Sequence, residues 1–254
     1  MQQTTIVEGN MAGQESGRQT PPPSRLPSMR MVWHDLLFMH WPVAPAILGE
    51  MLPGNLQLDT WEGQAWISVV PFHMSGVAPR WMPNVPWLSK FPELNVRTYV
   101  IHDGIPGVWF FTLDATNPIA VRTARRWFHL NYVDARIDIE REGNWLKYHS
   151  VRTDRKQPGG ELKVDYRPLG VASTAVPGSI AEWLTARYCL YVVNRKGQIF
   201  RGDIDHAPWQ LRNAQIVMHR NSMLDPYGVD VSDGPQFIQF AERTDVVAWS
   251  LQPA

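Results

Sequence analysis

The spacing of apolar residues, more often two than three or four, is the feature that most constrains this fold. From Met31 onward, Val, Ile, Trp and other apolar residues alternate with polar ones, as in strands with one buried face. Turn-forming residues separate these runs at intervals of roughly 8–12 residues. The sequence therefore predicts one strand-dominated α+β domain, in which a mostly antiparallel sheet curls or closes against two or three helices.

Local signals place the individual elements. Pro45 opens a short helix over 45–51, a second helix runs from Asn117-Pro118 to about Phe128, and a third from Ile180 to about Arg187. Four prolines among Trp81, Trp87 and Phe91 predict a lid-like loop over 75–92. Strands are predicted at 33–38, 57–60, 64–73, 94–101, 108–113, 133–142, 145–153, 162–167, 188–193, 198–204, 237–240 and 246–250.

Length and composition limit the domain organisation and the function class. The 254 residues predict a disordered tail over 1–30, rich in Gln, Ser, Gly and Pro, and a single domain over 31–254. Lys plus Arg and Asp plus Glu both number 24 without a basic cluster, which argues against nucleic-acid and membrane partners. Cys189 has no disulfide partner and no long apolar run is present, so we expect a soluble, cytoplasmic protein.

Familiar catalytic and cofactor motifs are missing from the sequence. The eight histidines show neither His-x-His nor His-Glu-x-x-His spacing, and no Gly-x-Ser-x-Gly elbow is present. The chain also lacks a P-loop and a Gly-x-Gly-x-x-Gly turn. We therefore expect neither a metal nor another cofactor.

A row of polar residues in the strand predicted over 94–101 provides the best candidate site. Glu93, Asn95, Arg97 and Tyr99 are spaced by two, so in a strand they share one face. If that face lines a cavity, Arg97 can hold a carboxylate, Glu93 can act as acid or base, and Tyr99 can donate a hydrogen bond. The alternative is an outer, solvated face.

Four segments, 40–43, 66–72, 91–100 and 206–209, resemble the YqjF-like family of domains of unknown function. The Phe-Pro-Glu-Leu-Asn-Val-Arg-Thr-Tyr run at 91–99 is the most specific of them. The resemblance covers about residues 31–250, and this family is similar to the acetoacetate decarboxylase-like superfamily. That similarity implies a cone-shaped, mostly antiparallel β-barrel flanked by a few helices.

The resemblance also raises the question of a catalytic lysine. Acetoacetate decarboxylases use a lysine of lowered pKa to form a Schiff base with a β-keto acid. The segment that corresponds to their lysine pair, 127–132, contains no lysine here. We therefore expect no classical Schiff-base decarboxylation, with Lys90, just before the polar row, as the alternative lysine.

Two function classes follow from these observations. The leading hypothesis is an internal pocket for a small carboxylate or carbonyl metabolite, with Asn95, Tyr99, Tyr132, His206 and Trp209 as ligand-binding residues. Whether the ligand is turned over is left open. An enzyme would be lyase- or isomerase-like and lysine-independent, with Glu93 and Arg97 as catalytic residues. The rival is a noncatalytic interaction protein that presents the aromatic 75–92 loop to a partner or to a second copy in a homo-oligomer.

Overall fold

A computed structural model describes residues 21–54, 56–81, 89–116 and 130–254 of the chain. The described elements are mostly strands, with two short helices and one 3₁₀ turn. The strands are β1 (Met29–Val43), β2 (Gln57–Leu58), β3 (Ala65–Pro79), β4 (Phe91–His102), β5 (Ile105–Ala115), β6 (Tyr132–Glu142), β7 (Trp145–Arg152), β8 (Glu161–Ser173), β9 (Cys189–Val193), β10 (Ile199–Asp205), β11 (Leu211–Asn221), β12 (Phe237–Ala248) and β13 (Gln252–Pro253). The helices are α1 (Pro45–Gly49) and α2 (Ile180–Thr185), and the 3₁₀ turn is Asp225–Tyr227.

All described strands belong to one sheet, in the order β13-β10-β9-β5-β6-β7-β8-β11-β12-β1-β3-β4-β2. Two further pairings, β4–β5 and β10–β12, join strands that are not neighbours in that order, so the sheet folds back on itself. Strand β5 runs parallel to β6 and β9, whereas the other described pairs are antiparallel. The predicted mostly antiparallel sheet is thus confirmed, while its closure into a barrel stays a prediction.

Local turn chemistry explains the hairpins. Asp103 and Gly104 both have positive φ angles, of 49° and 75°, which is the geometry of a two-residue hairpin turn between β4 and β5. Strands β6, β7 and β8 then form an antiparallel meander whose buried residues alternate with more exposed ones. This alternation buries one face of the meander against the core.

The structure differs from the predicted elements in several places. Strand β3 extends to Pro79 and β4 begins at Phe91, so only the middle of the predicted 75–92 loop lies between strands. Within it, residues 82–88 lie outside the described residues, as does the predicted helix from Asn117 to Phe128. Strand β11, in which only Leu211 is buried, was not predicted. The two predicted C-terminal strands are one strand, β12.

The last residues before β1 pack on the C-terminal part of the chain. The Ser28 backbone N–H donates to the Ala248 carbonyl at 2.8 Å, and the Trp249 indole N–H donates to the Arg25 carbonyl at 2.7 Å. Strand β1 itself starts at Met29, within the segment predicted as a tail. Residues 1–20 of that tail lie outside the described residues.

No helix in the described part of the chain is long and apolar enough to cross a membrane.

Candidate functional site

A cavity of about 440 Å³ lies against the inner faces of β1, β3 and β4 and is completed by β5, β9 and β10. Most of its lining is apolar. Its polar residues are Glu93, Asn95, Arg97, Tyr132, Thr185, Arg187, Cys189, Asp203 and His206. Pockets of roughly 300–1,000 Å³ with a few converging polar groups are typical of small-molecule sites.

Strand β4 brings three of the four predicted polar residues to this cavity. Glu93, Asn95 and Arg97 all line it, because side chains at every second position of a strand point to the same side. The outer-face alternative therefore does not hold for these three residues. The Asn95 Oδ1 atom is buried, and no donor from the described residues reaches it.

Tyr99, the fourth residue of the row, is not part of the cavity wall. Its ring is covered by the guanidinium carbons of Arg97 and Arg187, at 5.9 Å and 5.0 Å from the ring centroid. Its hydroxyl lies 2.7 Å from Ser68 Oγ and 3.2 Å from His40 Nδ1. Tyr99 thus contacts two arginines of the cavity without lining the cavity itself, and its direct contact with a ligand stays a prediction.

Glu93 is fully buried beside a hydroxyl group. The Tyr132 hydroxyl donates to Glu93 Oε2 at 2.9 Å, and the Tyr148 hydroxyl donates to the Glu93 carbonyl at 2.8 Å. Burial raises the pKa of Glu93 from 4.5 to about 8, and the nearby Asp114 adds to this shift, whereas the hydrogen bond from Tyr132 opposes it. At neutral pH Glu93 is therefore mainly a neutral acid that can donate a proton into the cavity.

Arg187 is a cavity residue that sequence reasoning missed. It follows α2 and is held by Asp59, which accepts from Nη1 at 2.6 Å, and by the Trp183 carbonyl, which accepts from Nε at 2.8 Å. Desolvation lowers the pKa of Arg187, and Arg97 also lowers it, while Asp59 raises it. No local pattern indicated this residue, because its partner Asp59 is 128 positions away in the sequence.

The two arginines present unsatisfied hydrogen-bond donors. Arg97 Nε and Arg187 Nη2 are buried, and neither has an acceptor within the described segments. Among the described residues, Arg97 donates from Nη2 to the Leu184 carbonyl at 3.5 Å. Buried guanidinium N–H groups without acceptors are costly, and because both arginines line the cavity, this part of its lining is cationic.

The other predicted ligand-binding residues also line the cavity. Tyr132 reaches it through its contact with Glu93. The rings of His206 and Trp209 are 4.5 Å apart, and the Trp209 indole N–H donates to the Thr185 carbonyl at 2.9 Å. These two rings also contact the Trp33 ring, so they form part of an aromatic section of the cavity wall.

None of the five lysines of the chain, all of which are described, lines the cavity. Lys90 is exposed, and it contributes to lowering the pKa values of His34 and His73, which places its charge near those two rings. A group of three or more His, Cys, Asp or Glu residues suited to a metal ion does not occur in the described segments.

Trp81 and Phe91 of the predicted aromatic loop have different surroundings. Trp81 is 77% exposed, whereas Phe91 is buried in the cavity wall. Trp87 lies in the segment that is not described. The aromatic residues therefore do not form one exposed patch, since Phe91 belongs to the cavity.

Three solved structures of the same fold were found by structural comparison. An acetoacetate decarboxylase from Legionella pneumophila aligns over 100% of this chain and 98% of its own, with a TM-score of 0.59 and 12% identity. An acetoacetate decarboxylase-like enzyme from Sphingomonas wittichii aligns over 91% of this chain and 94% of its own, with a TM-score of 0.64 and 11% identity. The enduracididine biosynthesis enzyme MppR, solved with pyruvate, aligns over 91% of both chains at a TM-score of 0.60 and 8% identity. At such low identities these likenesses establish the fold.

Sequence comparison establishes the family. The protein YqjF of Bacillus subtilis (strain 168) is 40% identical over 224 residues, which cover 88% of this chain and 91% of YqjF. Residues 30–245 match the model of the DUF2071 family, described as an uncharacterized conserved protein. The resemblance noted in the sequence is thereby confirmed, and the chain belongs to the DUF2071 family.

Proposed function

We propose that the cavity binds a small carboxylate or carbonyl metabolite whose anionic group lies between Arg97 and Arg187. The observation that carries this proposal is the pair of buried donors, Arg97 Nε and Arg187 Nη2, without acceptors among the described residues. A carboxylate placed between the two guanidinium groups would offer each of them an acceptor for a charge-assisted hydrogen bond. The fold-back of the sheet through the β4–β5 and β10–β12 pairings supports a barrel around this site.

The charges of the site favour an anionic ligand. Asp59 neutralises Arg187, and Asp203, which also lines the cavity, is paired with Arg201 at 3.0 Å. Arg97 has no acidic partner in the described part of the chain. Glu93 is mainly neutral at pH 7, so it does not repel an anion. The unligated cavity thus has an excess positive charge at Arg97.

Glu93 is the residue that gives this site the capacity for proton transfer. A carboxyl group with a pKa of about 8 exchanges protons near neutral pH, as an acid or base for a carbonyl compound must. We assign it that role, with Arg97 as the anchor and Tyr132 as the hydroxyl that stabilises the Glu93 carboxylate. Because the lysines all lie outside the cavity lining, the proposed chemistry is lyase- or isomerase-like and does not use a Schiff base.

The neighbouring structures support this choice of ligand class. MppR has been solved with pyruvate, an α-keto acid. The other two neighbours are an acetoacetate decarboxylase and an acetoacetate decarboxylase-like enzyme. A keto acid unites the carboxylate that the arginines require with a carbonyl on which Glu93 can act.

The test compares ligand binding and stability in wild type, Arg97→Met and the control variant Arg136→Met, whose arginine is exposed on β6. Calorimetric titration with pyruvate, acetoacetate and butyrate measures binding. We expect Arg97→Met to weaken binding of these acids roughly 10- to 100-fold, the size of one or two charge-assisted hydrogen bonds. Arg136→Met should bind like wild type.

Thermal unfolding without ligand provides the second measurement. Since Arg97 is partly buried and lacks an acidic partner, Arg97→Met should be at least as stable as wild type while losing the stabilisation by ligand. Carboxylate binding that is unchanged in Arg97→Met would refute the proposal. Failure of these three acids and of octanoate to bind wild type would refute it as well.

A further inference from the structure

The apolar part of the cavity wall is larger than a ligand as small as pyruvate requires. We propose that the ligand is a carboxylic acid that carries an apolar substituent of about six to ten carbons, a size set by the room in the cavity. Its carboxylate lies at the two arginines, and its substituent extends along the apolar wall. This inference rests on the carboxylate site proposed above and adds the substrate class.

The register of β3 and β4 separates the polar and apolar parts of the cavity. Arg97 pairs with Ser68, Glu93 with Phe72, and Phe91 with Met74. The polar row of β4 therefore ends at Glu93. At Phe91, and along β3 from Met74 to Pro79, the lining of this strand pair is apolar. A ligand anchored at Arg97 passes Glu93 before it reaches that apolar part.

The same apolar part continues along β1 and the end of β3. Trp33 pairs with Met74, and Met29 pairs with Pro79. At about 3.3 Å per residue, the stretch from Met74 to Pro79 adds roughly 16 Å of wall beyond the polar row. The residues of this stretch that line the cavity are Met74, Val77, Ala78 and Pro79.

An aromatic wall connects the two parts. The Arg97 guanidinium carbon lies 5.5 Å from the centroid of the Phe38 ring, which is 5.2 Å from the Trp209 ring. Trp209 stacks on Trp33 at 6.1 Å, and Trp33 contacts Phe72 edge-on at 5.8 Å. This wall gives an apolar chain a continuous surface from the anion site to the far end of the cavity.

Methionines line the far end of the cavity. Met29, Met31 and Met74 all face it, and Met31 packs against the same apolar cluster as Val77. Methionine side chains adapt to apolar groups of different shape. This end therefore fits a hydrocarbon substituent better than a polar one.

The volume agrees with this assignment. The cavity measures about 440 Å³, whereas one water takes up roughly 30 Å³ in the liquid. At that volume for each non-hydrogen atom, the space corresponds to about 15 such atoms. After three atoms for the carboxylate group, about 12 positions remain, so a substituent of six to ten carbons fits.

The experiment measures the affinity of wild type for straight-chain acids from acetate to decanoate by calorimetric titration, with 1-octanol as the probe without a charge. We expect the affinity to rise about fourfold per methylene from butyrate to octanoate, the value that corresponds to ~0.8 kcal/mol per buried methylene. Octanol should bind much more weakly than octanoate. Met31→Trp, which fills the far end, should remove the dependence on chain length while short acids still bind.

The control variant is Met51→Trp, because Met51 is 39% exposed and outside the cavity. If Met31→Trp does not fold, Val77→Phe fills the same end. An affinity that does not change with chain length would overturn this inference and leave the carboxylate site standing. Equal binding of octanol and octanoate, or no binding of any acid, would overturn the carboxylate site itself.

Discussion

The sharpest prediction concerns the stability of Glu93→Gln as a function of pH. The glutamine keeps the shape of the side chain but cannot ionise. In wild type the folded state holds the Glu93 proton up to a pKa of about 8, whereas the unfolded chain releases it near 4.5. Between these values the folded state binds more protons than the unfolded state, so raising the pH destabilises wild type through this residue.

The magnitude follows from the two pKa values of Glu93. From about pH 5 to about pH 7.5, wild type should lose about 3 kcal/mol of unfolding free energy relative to Glu93→Gln. The difference should level off above the folded pKa and below the unfolded pKa. Urea unfolding of both proteins at a series of pH values measures it, because all other titrating groups are common to both. A difference that is independent of pH, or that favours wild type as the pH rises, would refute the protonated state of Glu93.

Three further predictions concern the surroundings of Glu93 and the core of the protein. Tyr132→Phe removes a donor to the Glu93 carboxylate and should raise the pKa of Glu93 by about one to two units. Carbon-13 NMR of the Glu93 carboxyl group measures this pKa, and an unchanged value would contradict the prediction. Arg152→Met leaves the Asp114 side chain, which is 0% exposed, buried without its partner, and should lower the free energy of unfolding in urea by about 3–5 kcal/mol. The control Arg243→Met removes one side of an exposed pair and should change the free energy of unfolding by less than about 0.5 kcal/mol. Equal effects of the two substitutions would contradict this prediction. Gly107→Ala places a methyl group 2.7 Å from the Tyr191 ring and 2.9 Å from the Cys189 carbonyl, and should lower the free energy of unfolding by about 1–3 kcal/mol. The methyl group of the control Gly159→Ala meets nothing within 4 Å. An unchanged stability of Gly107→Ala would contradict this prediction.

The parts of the fold that sequence reasoning predicted depend on local signals. Helix α2 begins after Ser179, which accepts from the Glu182 N–H at 3.3 Å, and the Glu182 side chain accepts from the Gly178 N–H, one residue before this cap, at 2.7 Å. The meander from β6 to β8 was predicted from its alternation and glycine turns. Strand β11 was missed because its backbone pairs with a strand that is distant in the sequence. Most of its paired residues in β8 are 40 or more positions away.

In the candidate site, too, the sequence predicted what depends on local spacing and missed what depends on distant contacts. The β4 row was predictable because residues two apart in a strand share a face. The contact of the Tyr99 ring with two guanidinium groups was not predictable, because it depends on the position of Arg187 at the end of α2. That position in turn depends on Asp59, and neither residue has a sequence motif that connects it to the other.

The central claim is that Arg97 and Arg187 together bind a carboxylate. A crystal structure of the protein with 8-bromooctanoate tests it most directly, because the anomalous signal of bromine marks the far end of the ligand and fixes its direction. We expect carboxylate oxygens within hydrogen-bond distance of Arg97 Nε and Arg187 Nη2, with the bromine near Met31. A ligand bound in the opposite direction, or outside the cavity with both arginine donors still unsatisfied, would contradict it.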